Sequence, residues 1–237
     1  MMQAVVFGAS GAIGRSFVEQ FLKLDEIDEI HAVARQEVQF DSMKVRSFAL
    51  DYFSDDDWKD YSSHLKQFSN LSYCVIASGV LHGADFYPER SLNEINAEAM
   101  AEVFRINCVI PAIILKNIAS SMSREKSVIG VLSARVGSIS DNRLGGWYSY
   151  RSSKAALNML IKTASIELKR LNPKIVIMGL HPGTVKSSLS DPFTQRLQEE
   201  KLFSSDYSTA MLIEIIKQAG KEHSGKCFAY DGSEIEP

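Results

Sequence analysis

Tyr150 and Lys154 stand four residues apart in the run Tyr148-Ser149-Tyr150-Arg151-Ser152-Ser153-Lys154. On a helix that spacing sets a phenol and an ammonium on one face, one turn apart. A neighbouring ammonium favours the phenolate and lowers the phenol's pKa. A phenol poised in this way gives a proton to a carbonyl oxygen or takes one from an alcohol. An exposed Tyr/Lys pair on any amphipathic helix has the same spacing, so the weight of the pair depends on what the rest of the chain brings to it.

The N-terminal end brings a second chemical feature. Gln3 to Phe7 reads as a buried strand, and Gly8-Ala9-Ser10-Gly11-Ala12-Ile13-Gly14 follows at once. Arg15 to Leu24 then shows helical periodicity, with Phe17, Val18, Phe21 and Leu22 apolar. A strand, a glycine loop and a helix together suit a pyrophosphate: glycines let the backbone approach it, and the helix N-terminus supplies N–H groups and a positive dipole. The Gly-x-x-Gly-x-x-Gly spacing departs from the strict dinucleotide fingerprint. The second strand, Glu29 to Ala34, ends at Arg35. An acidic residue there would bind a ribose 2′-hydroxyl, whereas an Arg suits a 2′-phosphate and so favours NADP(H) over NAD(H). Arg15 is a second positive candidate.

The elements that must position these groups alternate. Strands are expected at Val45 to Leu50, closed by Asp51, then at Leu71 to Ala77, Val128 to Leu132, Ile175 to Leu180 and Lys226 to Tyr230. Between them fall a helix over Asp55 to Phe68 with Ser54 as N-cap, and one or two helices over Asn93 to Met122 bent at Pro111. The Tyr150 helix should run to Leu171, before Asn172-Pro173, and another helix should cover Ala210 to Ala219. This alternation predicts an α/β chain: a single domain over residues 1–237 built on a doubly wound parallel sheet of about seven strands. Ligands in such sheets lie beyond the carboxyl ends of the strands, where the Gly8 loop, Arg35, Asp51, Gly79, Ser133 and His181-Pro182-Gly183 all fall. The polar stretch Lys186 to Ser205, interrupted by Pro192, is expected to be a lid over the substrate.

Composition narrows the class. The chain has 237 residues, 45% hydrophobic and 23% charged, with a net charge of −3, which gives no reason to expect nucleic acid or an acidic membrane as partner. Three widely spaced cysteines, Cys74, Cys108 and Cys227, lie in no cluster with metal-ligand spacing, so buried thiols in a reducing compartment are expected and no metal site. The longest apolar run, Val109 to Leu115, is too short to span a bilayer. Without a basic leader ahead of the first strand, a cytoplasmic protein is expected.

Taken in order, the glycine loop, Asp51, the strand ending at Gly79, Asn107, Tyr150-x-x-x-Lys154 and Pro182-Gly183 resemble the short-chain dehydrogenase/reductase family over essentially the whole chain. Gly137-Ser-Ile-Ser-Asp-Asn142 and Gly145-Gly-Trp-Tyr-Ser-Tyr-Arg-Ser-Ser-Lys154 resemble the branch with C-factor-like proteins and certain carbonyl reductases. The resemblance implies a Rossmann fold, a nicotinamide cofactor and a small-molecule carbonyl or alcohol substrate. It makes Tyr150 the general acid/base and Lys154 the group that tunes it and bonds the nicotinamide ribose. Asn107 would hold a proton-relaying water. Cofactor contacts would come from Gly8, Ser10, Gly11, Ala12, Ile13, Gly14, Arg35, Asp51, Ala77, Gly79, Pro182, Gly183, Val185 and Ser187. The resemblance also suggests a homodimer through the two long helices.

Three positions depart from the family pattern. Ile76-Ala77-Ser78-Gly79 stands where Asn-Asn-Ala-Gly is usual. The glycine loop has the spacing of longer, epimerase-like members. Ala134 occupies the place of the usual catalytic serine, leaving Ser133 or Ser138 as substitutes. Ala134 favours a second reading, a dinucleotide-binding signalling or regulatory protein with little turnover, while intact Tyr150, Lys154 and Asn107 favour an oxidoreductase.

Overall fold

The computed structural model describes residues 2–68, 70–187, 189–194 and 202–237. Strand β1 (Met2–Phe7), helix α1 (Ala12–Leu22), β2 (Ile27–Ala34), β3 (Val45–Ala49), α2 (Asp55–Leu65) and β4 (Leu71–Ile76) form the first half. There follow α3 (Ala97–Phe104), a π turn (Arg105–Val109), α4 (Ile110–Ile118), β5 (Ser127–Leu132), α5 (Tyr148–Leu171) and β6 (Ile175–His181). The chain closes with β7 (Thr184–Val185), α6 (Asp191–Thr194), β8 (Leu202–Phe203), α7 (Ser205–Gln218), β9 (Cys227–Ala229) and β10 (Glu234–Ile235).

The main sheet has eight strands in the order β10-β9-β6-β5-β4-β1-β2-β3. Every pairing from β9 to β3 is parallel, and β10 adds an antiparallel edge. The seven parallel strands match the expected architecture; two-residue β10 carries too short a pattern to be read from sequence. Side-chain alternation splits the core into two layers. Val5 and Phe7 of β1 face α2, α4 and α5, while Ala4 and Val6 face α1 and α7. The sheet is thus covered on both sides, as a parallel sheet requires.

Sequence order reverses between β1 and β4, so their carboxyl ends flank the topological switch point. The Ala77 N–H donates to the Phe7 carbonyl at 2.8 Å, which brings the Gly8 and Gly79 loops together there. Ser54 caps α2 as expected, accepting from the Asp57 N–H. The bend expected at Pro111 is instead the π turn just upstream, where proline has no N–H for the Asn107 carbonyl. Helix α7 begins at Ser205, five residues before its expected start, because Ser204 caps it through the Tyr207 N–H.

Candidate active site

The Gly8 loop is built for close backbone approach. Gly8 has a left-handed φ of 82°, and a Cβ there would lie 2.9 Å from the Ala77 carbonyl carbon. A Cβ on Gly14 would lie 2.1 Å from the Gly8 oxygen, so only glycine lets α1 pack so tightly on the loop. Gly11, which lines the crevice, precedes α1 without a side-chain cap, so the first-turn N–H groups of the helix have no capping side chain. This cradle fits a dinucleotide pyrophosphate.

A cavity of about 580 Å³ runs from this loop past Arg35 and Asp51 to Gly79. Arg35 is exposed on its rim, beside buried Ala34. Asp51 also lines it, while its carboxylate accepts from the Phe53 N–H at 3.0 Å. Arg15 is turned elsewhere: it donates to the Gln39 carbonyl and lies 4.6 Å from the Phe40 ring centroid. Tyr52, Phe53 and Arg105 line the same cavity. No spacing in the sequence marked them, because Arg105 arrives from a helix distant in the chain.

Ala77, Ser78 and Gly79 also line a second cavity of about 390 Å³, so the two form one cleft. Tyr150, Lys154, Ser133, Ala134, Ile13 and the Pro182-Gly183 turn with Val185 and Ser187 all border the second cavity. Ser10 and Gly11 border the first, whereas Ala12 and Gly14 line neither and contribute the helix start and its packing. Fifteen of the sequence-predicted positions therefore lie along the cleft wall: Gly8, Ser10, Gly11, Ile13, Arg35, Asp51, Ala77, Gly79, Ser133, Tyr150, Lys154, Pro182, Gly183, Val185 and Ser187.

Lys154 is 3% exposed, and its Nζ donates to the Leu132 carbonyl at 2.9 Å. It lies 5.8 Å from the Tyr150 ring centroid. The expected lowering of the phenol's pKa is not found. Burial pushes Tyr150 up to about 12 and pulls Lys154 down to about 8. The shared helix face brings the two side chains together, but desolvation is the largest influence on both.

Asn107 is fully buried in the π turn and lines neither cavity. Its Oδ1 accepts from the Val80 N–H at 2.7 Å, and its Nδ2 donates to the Val80 carbonyl at 2.9 Å and to Ser153 Oγ at 3.1 Å. It braces the strand end after Gly79 against α5. A Cβ on Gly79 would be 3.5 Å from both Asn107 Oδ1 and Lys154 Nζ, so these two groups flank that glycine.

Neither serine substitutes simply for the residue at 134. Ser133 borders the cleft, but its hydroxyl donates to Asn158 Oδ1 at 2.6 Å. Ser138 lies outside the cleft, accepting from the Asp141 N–H. Two other polar atoms in the cleft wall are buried without a partner, Ser78 Oγ and His181 Nδ1. Burial and the Arg135 charge lower His181 to about 4, so its imidazole is neutral near pH 7.

The outer end of the cleft is aromatic. The Trp147 ring lies 6.1 Å from Tyr150 and 5.3 Å from Phe193, and Phe193 lies 5.7 Å from His82. Phe193 belongs to the expected lid; residues 188 and 195–201 of that stretch lie outside the described residues.

Comparison with known proteins agrees with this arrangement. The short chain dehydrogenase family model matches residues 2–198. C-signal of Myxococcus xanthus is 29% identical over 147 residues, 61% of this chain and 82% of that protein. The 1-hydroxy-2-glutathionyl-2-methyl-3-butene dehydrogenase of Rhodococcus sp. (strain AD45) is 35% identical over 109 residues, 46% of either chain. An NADPH-bound carbonyl reductase from chicken fatty liver superposes with a TM-score of 0.82 at 22% identity, covering 99% of this chain and 98% of that one. With a glycine cradle at the switch point and Tyr150 and Lys154 on one helix beside it, the chain belongs to the short-chain dehydrogenase/reductase family and is an oxidoreductase.

Proposed function

We propose that this protein reduces an uncharged, largely apolar carbonyl compound with NADPH. The observation that carries the reading is one continuous cleft joining the Gly8 loop and Arg35 to the Tyr150–Lys154 face of α5. The Gly8 loop and the α1 N-terminus would hold the pyrophosphate, and Arg35 the 2′-phosphate. The Pro182-Gly183 turn, Val185 and Ser187 would hold the nicotinamide end. Bound there, the cofactor supplies the hydride. Tyr150 gives its phenolic proton to the substrate oxygen, and its high pKa keeps it protonated for that role. Lys154, held by the Leu132 carbonyl, would bond the cofactor ribose, while Asn107 fixes the Val80 backbone. Among the described lining residues of the inner cleft, Lys154 is the only Lys, Arg, Asp or Glu. Trp147, Phe193, Leu81 and Val136 supply the apolar wall, which suits a flat or aromatic carbonyl better than an anionic one.

The test is NADPH oxidation against a panel of aldehydes, ketones, diketones and quinones. Turnover of neutral aromatic members is expected; preference for carboxylate-bearing substrates would reject the substrate class. Ala134, with the Ser133 hydroxyl committed to Asn158, favours the second reading of a dinucleotide-binding regulatory protein. Tight NADPH binding without turnover of any panel member would select it.

We also propose a cytoplasmic homodimer. No helix among the described residues is long and apolar enough to cross a membrane, and the three cysteines are free thiols. Leu157 and Ile161 of α5 complete the monomer core, but Met159 is 66% and Ile166 50% exposed. Burying that face against a second copy should give a dimer in sedimentation, and Met159→Glu should shift it to monomer. A wild-type monomer at high concentration would reject the dimer.

A further inference from the structure

We propose that Glu89 is a positioning residue for Tyr150, capping the active-site helix from a loop 60 residues upstream. This inference rests on the assignment of Tyr150 as proton donor. Helix α5 starts at Tyr148, and Trp147 before it makes no side-chain cap bond. Its connection is unusual: Gly145, Gly146 and Trp147 are all left-handed, with φ of 64°, 65° and 52°. Trp147 is the only non-glycine residue with positive φ among the described residues, and such a conformation persists only where surrounding structure holds it.

Glu89 is that support. It is 5% exposed, and all its acceptors point at the start of α5. Its main-chain carbonyl accepts from the Trp147 N–H at 2.5 Å. Its Oε2 accepts from the Ser149 N–H at 3.1 Å, and its Oε1 accepts from the Ser149 hydroxyl. A helix N-terminus leaves its first N–H groups unbonded and attracts negative charge, so a buried carboxylate there is both a cap and a counter-charge. One residue therefore holds the N-cap and the second residue of α5, immediately before Tyr150.

The same loop forms the wall behind Tyr150. Leu81 lines the cleft, and Phe86, Tyr87 and Pro88 close on Ser149 and Tyr150 around a void of only about 10 Å³. Glu89 thus couples the position of the phenol to the wall beside the substrate, while it lies on neither cavity that would hold the cofactor. A residue of this kind should act on turnover rather than on cofactor binding.

The experiment compares Glu89→Ala, Glu89→Gln and the wild type at a temperature where circular dichroism shows all three folded. Glu89→Ala should lower kcat at least tenfold while the NADPH Kd stays within twofold. Glu89→Gln keeps an oxygen for the Ser149 N–H and an amide donor for the Ser149 hydroxyl, so it should retain at least a third of kcat. Amide exchange at residues 148–152 should quicken tenfold or more in Glu89→Ala, with the C-terminal half of α5 unchanged. That last readout needs no substrate, so a wild type without turnover would fail the substrate reading alone. Normal first-turn exchange in Glu89→Ala, or a wild-type kcat, would overturn the proposal. So would an NADPH affinity that falls in step with kcat, or a Gln variant as impaired as the Ala variant.

Discussion

Tyr150→Phe keeps the ring, which packs 6.1 Å from Trp147, and removes the only proton it can transfer. General acid assistance is worth about 10²–10⁴ in rate, so kcat should fall by that order while NADPH affinity is unchanged. Wild-type turnover by this variant would move the active site elsewhere. Arg35 calls for a different experiment, because it is exposed and lines the cavity beside the Gly8 loop. A charge-assisted contact is worth about 1.5–3 kcal/mol, so Arg35→Ala should weaken NADPH by roughly 10- to 100-fold and leave NADH almost unaffected. Titrating both cofactors against both proteins decides it, and equal losses would remove the 2′-phosphate role. These residues were legible in the sequence because their signals are local: a four-residue spacing, a glycine run, an Arg at a strand end. What was not legible depends on partners far away in the chain. Lys154 reaches the Leu132 carbonyl 22 residues off, and the Ser133 hydroxyl is taken by Asn158, 25 residues on. The pKa of Tyr150 follows from burial, which no spacing reveals.

At the scale of elements, periodicity located the parallel strands and most helices, since both core layers impose apolar positions on every one of them. The errors lie where a different force sets the boundary. Ser204 extends α7 backwards through a polar cap, and the bend expected at Pro111 is a π turn at Arg105–Val109, from which Asn107 bonds Val80 and Ser153. The β1–α1 unit gives the sharpest test of positioning by an element. Adding a methyl at Gly14 places it 2.1 Å from the Gly8 oxygen, which is backbone and cannot swing aside. Gly14→Ala must therefore push α1 away from the loop. Overpacking of this kind costs about 1–3 kcal/mol, and the displaced N–H groups should cost NADPH affinity as well. A lowered thermal midpoint together with weakened NADPH binding is expected. A variant that binds NADPH normally would show that the helix N-terminus is not part of the cofactor site.

The sheet as a whole holds two histidines neutral, one on β2 and one at the end of β6, with three strands between them. His31 on β2 is fully buried, contacts the Tyr61 hydroxyl at 3.2 Å and lies between the rings of Phe48 and Phe68, at 4.5 and 4.2 Å. Burial, with the Arg46 charge beside it, lowers its pKa to about 3, and His181 at the end of β6 is lowered to about 4. Glu29 lies 3.5 Å from His31 Nε2 and would favour the charged ring, but desolvation prevails in so apolar a setting. Both folded values lie below the ordinary histidine value of 6.5, so between them the unfolded chain binds more protons than the folded one. Stability is then complete above pH 6.5 and falls as the pH drops toward those folded values. Between pH 7 and pH 5 the loss should be about 2 kcal/mol for each histidine. For a chain of this size that total lowers the thermal midpoint by about 10 °C. His31→Phe fits the aromatic surroundings and removes one of the two titrations, so its midpoint should fall only about half as far over the same range, whatever its absolute stability. An equal fall in variant and wild type would mean that His31 does not carry the acid sensitivity of this fold.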